Sequence, residues 1–256
     1  MEDIEIYSPQ GQDRPGDWVK SAWDVPDNPN SESSFSFISE CLQRCLIDHV
    51  QEECGAPNFE PIFPKRVVKI GGDLGLIQVI EYEERLGPYL ALSHCWGGNI
   101  SLQLTSFSPS LFESIDFQSM PNTFRDAIQL TRRLSYQYIW TDSLCIKQDS
   151  ATDWEIEANK MGAIYRNAHL TIAASSSKGS AVSFLAPRPR IGPPQQDLSF
   201  TDRDGKLYHL QARRPLSIHE HCVVEDGPLH KRAWCFQEYY LSGILSVKAG
   251  YQLRCI

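Results

Sequence analysis

Two segments combine polar side chains, a thiol and small residues at points where a buried strand is predicted to end. Residues 93–98 read Ser-His-Cys-Trp-Gly-Gly, and residues 142–149 read Asp-Ser-Leu-Cys-Ile-Lys-Gln-Asp. A glycine pair lets the backbone approach a ligand closely, and a tryptophan can stack on a flat ring. A tight turn with Trp96 in the core explains the first segment equally well. The residue types alone leave both interpretations open.

The elements that position these segments follow from the spacing of apolar residues. Three short apolar runs, 89–93, 138–142 and 169–175, are typical of strands buried on both faces. Two stripes at helical spacing separate them: Phe124, Ala127, Ile128, Thr131 and Leu134, then Trp154, Ala158, Met161 and Tyr165. This alternation predicts a parallel α/β sheet. Ligands bind beyond the carboxyl ends of such strands, so we expect both segments to face one cavity, with Trp96 and Asp142 about 10 Å apart or less.

Both of these predicted helices begin with residues at capping-box spacing. Thr123 and Asp126 stand three residues apart before the first stripe, and Thr152 and Glu155 do so before the second. In a capping box the two side chains accept hydrogen bonds from backbone N–H groups of the first turn. We therefore expect these four side chains to cap their own helices.

The rest of the chain completes the predicted fold. Residues 1–33 are rich in Pro, Asp, Asn and Ser without a period, which predicts a poorly ordered leader before a domain of residues 34–256. That domain is predicted to contain a helix from Phe35 behind a serine cluster, a hairpin of strands 67–70 and 76–80, an edge strand 207–211, a helix 232–243, and terminal strands ILSV and YQLRCI. The fold class is α/β: one three-layer domain with a central, mainly parallel sheet, an N-terminal helix plus hairpin, and an antiparallel C-terminal extension.

Composition and charge exclude several classes of protein. The 256 residues carry a formal net charge of −8 and no basic run, which argues against a nucleic-acid partner. No apolar stretch approaches the ~20 residues that span a bilayer, so no membrane span is expected. The start, MEDIEIYSPQ, is acidic and has no apolar core, so we expect no secretory signal there. We therefore expect a cytoplasmic protein whose eight cysteines are reduced.

Two kinds of cysteine chemistry compete with that simple interpretation. Cys41, Cys45, His49 and Cys54 could hold zinc, but three ligands along two turns of one helix span ~12 Å, too far to meet one ion. Packing is the favoured role, so no metal site is predicted. A thiol nucleophile at Cys95 or Cys145 lacks an evident base, because the adjacent His94 points away from Cys95.

Three blocks of the sequence resemble the successive signature blocks of the fungal heterokaryon incompatibility (HET) domain. They are YLALSHCWGG (89–98), the stretch from MPNTFRDAIQ to HLTIAAS (120–175), and RAWCFQEYYLS (232–242). The helix with Cys45, His49 and Cys54 is similar to one that often precedes those blocks. Tyr239 and Tyr240 depart from the family, where a basic residue is more usual. The resemblance implies a role in fungal non-self recognition that ends in growth arrest or cell death.

A second, weaker resemblance is to the Toll/interleukin-receptor (TIR) fold, through the order of strand, small-residue loop, Asp-bearing strand and late WCxxE helix. In NAD-cleaving members of that class the motif's glutamate is catalytic, which implies Glu238 here and NAD as substrate. The resemblance further implies that Trp96 or Trp234 stacks on a ring and that Ser93 and the amides near Gly97 and Gly98 hold phosphate or ribose. Asp142 would orient a ribose hydroxyl. The remaining residues assigned to substrate binding are His94, Cys145 and Gln148.

Two functional classes remain open for such a domain. In the first it is a death-signalling NAD glycohydrolase that acts as a homo-oligomer. In the second it is a non-catalytic module that assembles with like domains or other incompatibility proteins. An isolated glutamate such as Glu238 is otherwise a solvated helix residue, or a partner of Lys231 or Arg232. Convergence of Glu238, Trp96 and Asp142 on one cleft would favour the enzyme.

Overall fold

The computed structural model describes residues 4–22, 28–48, 62–71, 75–83, 87–98, 102–187, 196–213, 228–231, 238 and 246–248. The strands in these ranges are β1 (Glu5–Pro9), β2 (Lys20–Ala22), β3 (Arg66–Ile70), β4 (Ile77–Glu81), β5 (Leu90–Ser93), β6 (Tyr138–Trp140), β7 (Leu170–Ala173), β8 (Gln196–Thr201), β9 (Leu207–Arg213) and β10 (Ser246–Lys248). The helices are α1 (Glu32–Asp48), α2 (Asn122–Arg133), α3 (Asp142–Cys145) and α4 (Ala151–Asn167). The protein is therefore of mixed α/β class. No described helix has both the length and the apolar character needed to cross a membrane.

The larger sheet has the strand order β10-β7-β5-β6-β3-β4. Its centre is parallel: β5 pairs with β7 from Leu90 opposite Leu170, and with β6 from Leu90 opposite Ile139. All residues of β5, β6 and β7 are buried, which explains their continuous apolar sequences. The three predicted central strands are thus confirmed.

The expectation of a mainly parallel sheet is wrong, because both sheets are mixed. The predicted hairpin forms, with β3 antiparallel to β4, but β3 also pairs antiparallel with β6 and so joins the hairpin to the parallel strands. At the other edge β10 runs parallel to β7, which corrects the expected antiparallel C-terminal extension. Residues 249–256, with the predicted strand YQLRCI, lie outside the described residues. The TIR-like three-layer arrangement stays a prediction.

A second, smaller sheet has the order β2-β1-β9-β8 and combines two strands from the first 22 residues with two from residues 196–213. β1 pairs antiparallel with β9, and the Arg213 guanidinium donates to Glu5 at 2.7 Å and stacks over the Tyr7 ring. Two strands therefore lie in the segment predicted to be poorly ordered, residues 1–33. The predicted edge strand is instead interior, since β9 lies between β1 and β8. The division into a leader and a domain stays a prediction.

The helices begin differently from the predicted capping boxes. α1 starts after Ser31, whose hydroxyl accepts from the Ser34 N–H at 3.3 Å, so the predicted serine cap is confirmed. α4 is capped by Ser150, which accepts from the Asp153 N–H at 3.3 Å, rather than by Thr152. α2 begins after Pro121, without a side-chain cap. Its Thr123 and Asp126 bind a distant loop, as described below.

A buried ion pair joins β3 to α4. The Arg66 side chain is 1% exposed and pairs with Asp153, while its Nε donates to the Cys145 carbonyl at 2.8 Å. The Lys147 N–H donates to Asp153 Oδ2 at 2.9 Å. Burial by itself would raise the pKa of Asp153, but these hydrogen bonds and the charges of Arg66 and Lys65 hold it below its usual value. The contact ties the hairpin to the chain that follows β6.

Candidate functional site

The carboxyl ends of β5 and β6 lie side by side, because these strands are parallel neighbours. The two segments singled out by their chemistry therefore leave the sheet at the same edge. Trp96 Nε1 donates to Asp142 Oδ2 at 2.9 Å and to Oδ1 at 3.1 Å. The predicted proximity of Trp96 and Asp142 is thus confirmed. Trp96 is only half-buried, which contradicts the alternative of a core tryptophan.

Asp142 also organises the turn that it begins. Its Oδ1 accepts from the Ser143 N–H at 2.8 Å, which satisfies one free donor at the start of α3. The Gln148 amide donates to the carbonyls of Asp142 and Ile146, both at 2.9 Å, and so folds back over this turn. Asp142 is therefore both the partner of the Trp96 indole and the residue that fixes α3.

Glu238 lies against the end of β5, at the same edge of the sheet. Glu238 is 2% exposed, and its carboxylate accepts a hydrogen bond from Ser93 Oγ. Ser93, the last residue of β5, is 3% exposed. The interpretation of Glu238 as a solvated surface residue is therefore wrong. Trp234, like the rest of 232–237, lies outside the described residues.

The residues that follow Ser93 point into the protein rather than into solvent. His94 is 1% exposed, and its ring packs edge-on against Phe124, with centroids 5.0 Å apart. Cys95 is also buried and packs with Ala173 and Leu229. The strand that brings Ser93 to the edge thus continues into the core before the chain emerges at Trp96.

Cys145 is poorly suited to act as a nucleophile. It is fully buried, and burial raises the pKa of its thiol to about 12. We expect iodoacetamide to leave Cys145 unmodified in the native protein and to alkylate it readily in denaturant, as measured by mass spectrometry of peptides. Cys41 on α1 is only partly buried and serves as the internal comparison. Native labelling of Cys145 as fast as that of Cys41 would contradict this assignment.

A third loop, residues 174–185 after β7, completes the edge. Gly97 and Gly179 approach so closely that a Cβ added to either would lie 3.1 Å from the other's Cα. Ser180 donates to the Trp96 carbonyl through its N–H at 3.3 Å and its hydroxyl at 3.0 Å. The Trp96 backbone is therefore held by this loop, while its indole is held by Asp142.

Helix α2 holds the same loop through the two side chains predicted to cap it. Thr123 Oγ1 donates to the Val182 carbonyl at 2.7 Å. Asp126 Oδ2 accepts from the Ser183 hydroxyl at 2.7 Å and from the N–H groups of Phe184 and Leu185 at 2.7 and 3.0 Å. This role differs from the predicted one, because capping-box spacing gives no sign that a side chain binds a loop some sixty positions away.

The contact between Gly97 and Gly179 predicts that alanine destabilises the protein at position 97 but not at the neighbouring position 98. Gly97 has φ +79°, whereas Gly98 has open space around an added Cβ. We expect Gly97→Ala to lower the free energy of unfolding by about 1–3 kcal/mol, because alanine is strained in this region and meets Gly179. Gly98→Ala should change it by about 0.5 kcal/mol or less. Urea denaturation measures both, and equal effects would contradict the close approach.

Of the four residues at zinc-ligand spacing, Cys41 is the one whose side chain is described. His49 and Cys54 lie outside the described residues, and the side chain of Cys45 is likewise not described. Within the described ranges no cluster of three or more His, Cys, Asp or Glu side chains is arranged to hold a metal. Burial raises the pKa of Cys41, which disfavours the thiolate that a metal would require.

The sequence from β5 to Glu238 matches one protein family. The profile of the family described as Heterokaryon incompatibility protein (HET) matches residues 89–238, more than half of the chain. This chain therefore belongs to the heterokaryon incompatibility family, which implies a role in heterokaryon incompatibility. The matched region contains Ser93, Trp96, Asp142 and Glu238. Neither a curated protein nor a solved structure matches the chain, and the similarity to the TIR fold is not shown.

Proposed function

We propose that this domain is a cell-death effector of fungal non-self recognition that hydrolyses NAD at the nicotinamide–ribose bond when it is oligomerised. The observation that carries the proposal is the hydrogen bond from Ser93 to the buried carboxylate of Glu238 at the end of β5. The Trp96–Asp142 pair lies at the same edge of the sheet. The carboxylate is the group that this reaction requires, and the hydroxyl and the fixed indole are proposed to position the carboxylate and a ring of the substrate.

The chemistry needs a carboxylate more than it needs an acid. The bond between ribose C1′ and the pyridinium nitrogen breaks with its electron pair passing to nicotinamide, which leaves as a neutral molecule. Positive charge develops on the ribose, and a carboxylate beside it stabilises that charge. Water then bonds to C1′ and releases a proton to solvent. Glu238 is proposed as this carboxylate, with Ser93 fixing one of its oxygens.

Trp96 is proposed to stack on a ring of the substrate. Its N–H is engaged by Asp142 and its carbonyl by Ser180, so little side-chain freedom remains to be lost on binding. The exposed backbone of Gly97 and Gly98 is proposed to approach phosphate or ribose. Asp142 already accepts from Trp96 and Ser143, so we assign it chiefly to positioning the indole. Trp234 stays a second proposed stacking residue.

A non-catalytic interaction module is the second candidate. The observation that favours it is the burial of Glu238 and His94, which are 2% and 1% exposed. Side chains this deeply buried can support the loops at the carboxyl ends of the strands without contacting a substrate. In this case the edge made by the three loops would assemble with a second copy of the domain or with another incompatibility protein, and that assembly would itself be the signal.

Incubation of the full chain with NAD separates these candidates. Free nicotinamide is measured by chromatography at several protein concentrations, because the proposed activity requires oligomerisation. We expect release whose rate per molecule rises with protein concentration. No release at any concentration, with the protein shown to be assembled by light scattering, would reject the enzyme and leave the interaction module.

A further inference from the structure

A cavity of about 430 Å³ lies at the amino ends of the parallel strands of the larger sheet, whereas Glu238 lies at their carboxyl ends. Tyr138 is the first residue of β6, and His169 directly precedes β7, so the cavity opens at the amino ends of the parallel strands. Ser39 and Leu42, one turn apart on one face of α1, form another wall. Its volume falls within the range typical of small-molecule sites.

Ionic side chains are missing from the described wall of this cavity: no Asp, Glu, Lys or Arg lines it. Burial lowers the pKa of His169, which favours the uncharged form of its ring. Its Nδ1 lies 3.2 Å from the Tyr136 hydroxyl, in a hydrogen bond that orients both rings. Desolvating a charged ligand here would therefore gain no ion pair in return.

The turn that forms the rim has an unusual residue at its centre. Ser135, just after the end of α2, has φ 63° and is the one non-glycine residue of the described chain with a positive φ. Glycine is the usual residue at such a helix end, since a side chain is strained there. The turn is held by the N–H of Ser135 on the Arg132 carbonyl and by that of Tyr136 on the Thr131 carbonyl, at 2.9 and 3.0 Å. Strained positions of this kind concentrate where a side chain serves a ligand.

We propose that this cavity binds an uncharged small molecule with an aromatic or heteroaromatic ring. The rings of Tyr136, Tyr138 and His169 offer stacked or edge-on packing, and Leu42 provides an apolar floor. Hydroxyl groups of Ser39, Ser135 and Tyr136 offer hydrogen bonds to polar atoms on the rim of that ring. The site lies at the edge away from Glu238, so its occupancy does not depend on NAD cleavage.

Two matched pairs of probes test the class of ligand. Adenosine and nicotinamide are uncharged, while AMP adds a charged phosphate to the ribose of adenosine and nicotinate replaces the carboxamide of nicotinamide by a carboxylate. Titrations are followed by the backbone amide signals of Gln137 and His169 in NMR spectra of the full chain. We expect saturable shifts with at least one uncharged probe, and binding weaker by about tenfold or more for its charged counterpart. Shifts confined to Gly97 and Gly98 would place binding at the other edge and overturn the proposal.

Three variants test the location. Ser39→Trp should fill the cavity and abolish the shifts, whereas Ser39→Ala should retain them. Gln43→Trp, at an exposed position on the same face of α1, gives the same block if Ser39→Trp does not fold. Ser135→Gly should raise Tm and at the same time weaken binding, a combination that a purely structural serine would not give. Unchanged binding in a folded blocking variant, or no shift with either uncharged probe, would overturn the proposal.

Discussion

Replacing Glu238 by glutamine is expected to slow nicotinamide release by about 10²–10³-fold, because the amide cannot stabilise the ribosyl cation. The amide oxygen can still accept from Ser93, so the hydrogen bond at the end of β5 is retained. Folding should survive, since glutamine nearly matches glutamate in shape and removes a charge that is costly to bury. The measurement is kcat of the purified protein together with its Tm.

The matched control is Glu113→Gln, the same chemical change at an exposed position. It should leave both kcat and toxicity in fungal cells at the wild-type level. Under the interaction-module hypothesis Glu238→Gln would also remain toxic, because assembly does not require the charge. A Glu238→Gln protein that folds normally and still kills fungal cells would reject the catalytic assignment.

The second large effect concerns the buried ion pair. We expect Asp153→Ala to lower the free energy of unfolding by about 3–5 kcal/mol, because it leaves the Arg66 guanidinium buried without its counter-charge. Arg66→Met together with Asp153→Leu should recover much of that loss, since apolar groups of similar volume carry no desolvation penalty. Urea denaturation of the single and double variants measures this difference.

A solvent-exposed pair provides the control. Lys206 and Asp13 lie 2.7 Å apart, but their side chains are 54% and 75% exposed, so Lys206→Gln should leave stability almost unchanged. A comparable loss of stability in Lys206→Gln and Asp153→Ala would show that the burial of an ion pair does not determine how much it stabilises the fold. A stable Asp153→Ala protein would contradict the assignment of the Arg66 charge to this carboxylate.

The effect of Asp153 also has a defined pH dependence. Its pKa is lowered in the folded protein from an ordinary value of 3.8, so the carboxylate stabilises the fold fully above that value. The stabilisation is lost as the pH falls through the lower, folded pKa. The difference in stability between wild type and Asp153→Ala should therefore shrink in acid, and a constant difference across this range would contradict the ion pair.

The central strands and helices could be predicted from the sequence because burial leaves a clear signal there. β5, β6 and β7 are buried throughout, and α2 buries four of the five residues of its predicted stripe, all but Leu134. The second predicted stripe is only partly right, because α4 buries Met161 and Tyr165 but leaves Trp154 45% exposed. The meeting of Trp96 with Asp142 follows from the same pattern, because parallel strands bring their carboxyl ends to one edge. The Trp96–Asp142 contact could thus be predicted because it depends only on the order and direction of the strands.

The smaller sheet and the loop contacts left no such signal. β8 is exposed along nearly its whole length, and Leu198 and Phe200 are its only apolar residues, too few to mark it as a strand. β1 and β9 pair although they lie about 200 residues apart in the sequence, a separation that local patterns do not bridge. Asp126 and Arg66 are charged residues whose partners are supplied by tertiary contacts, which local spacing does not encode. The burial of Glu238 against Ser93 is of the same kind.

The most direct test of the proposed reaction is incubation of the full chain with NAD in water enriched in oxygen-18, followed by mass spectrometry of the products. Hydrolysis at the nicotinamide–ribose bond predicts unlabelled nicotinamide and an equal amount of ADP-ribose carrying one heavy oxygen, with neither product formed by Glu238→Gln. AMP among the products would place the cleavage at the pyrophosphate. That result, or intact NAD after incubation with the assembled protein, would contradict the account of Glu238 as the carboxylate of a nicotinamide-releasing site.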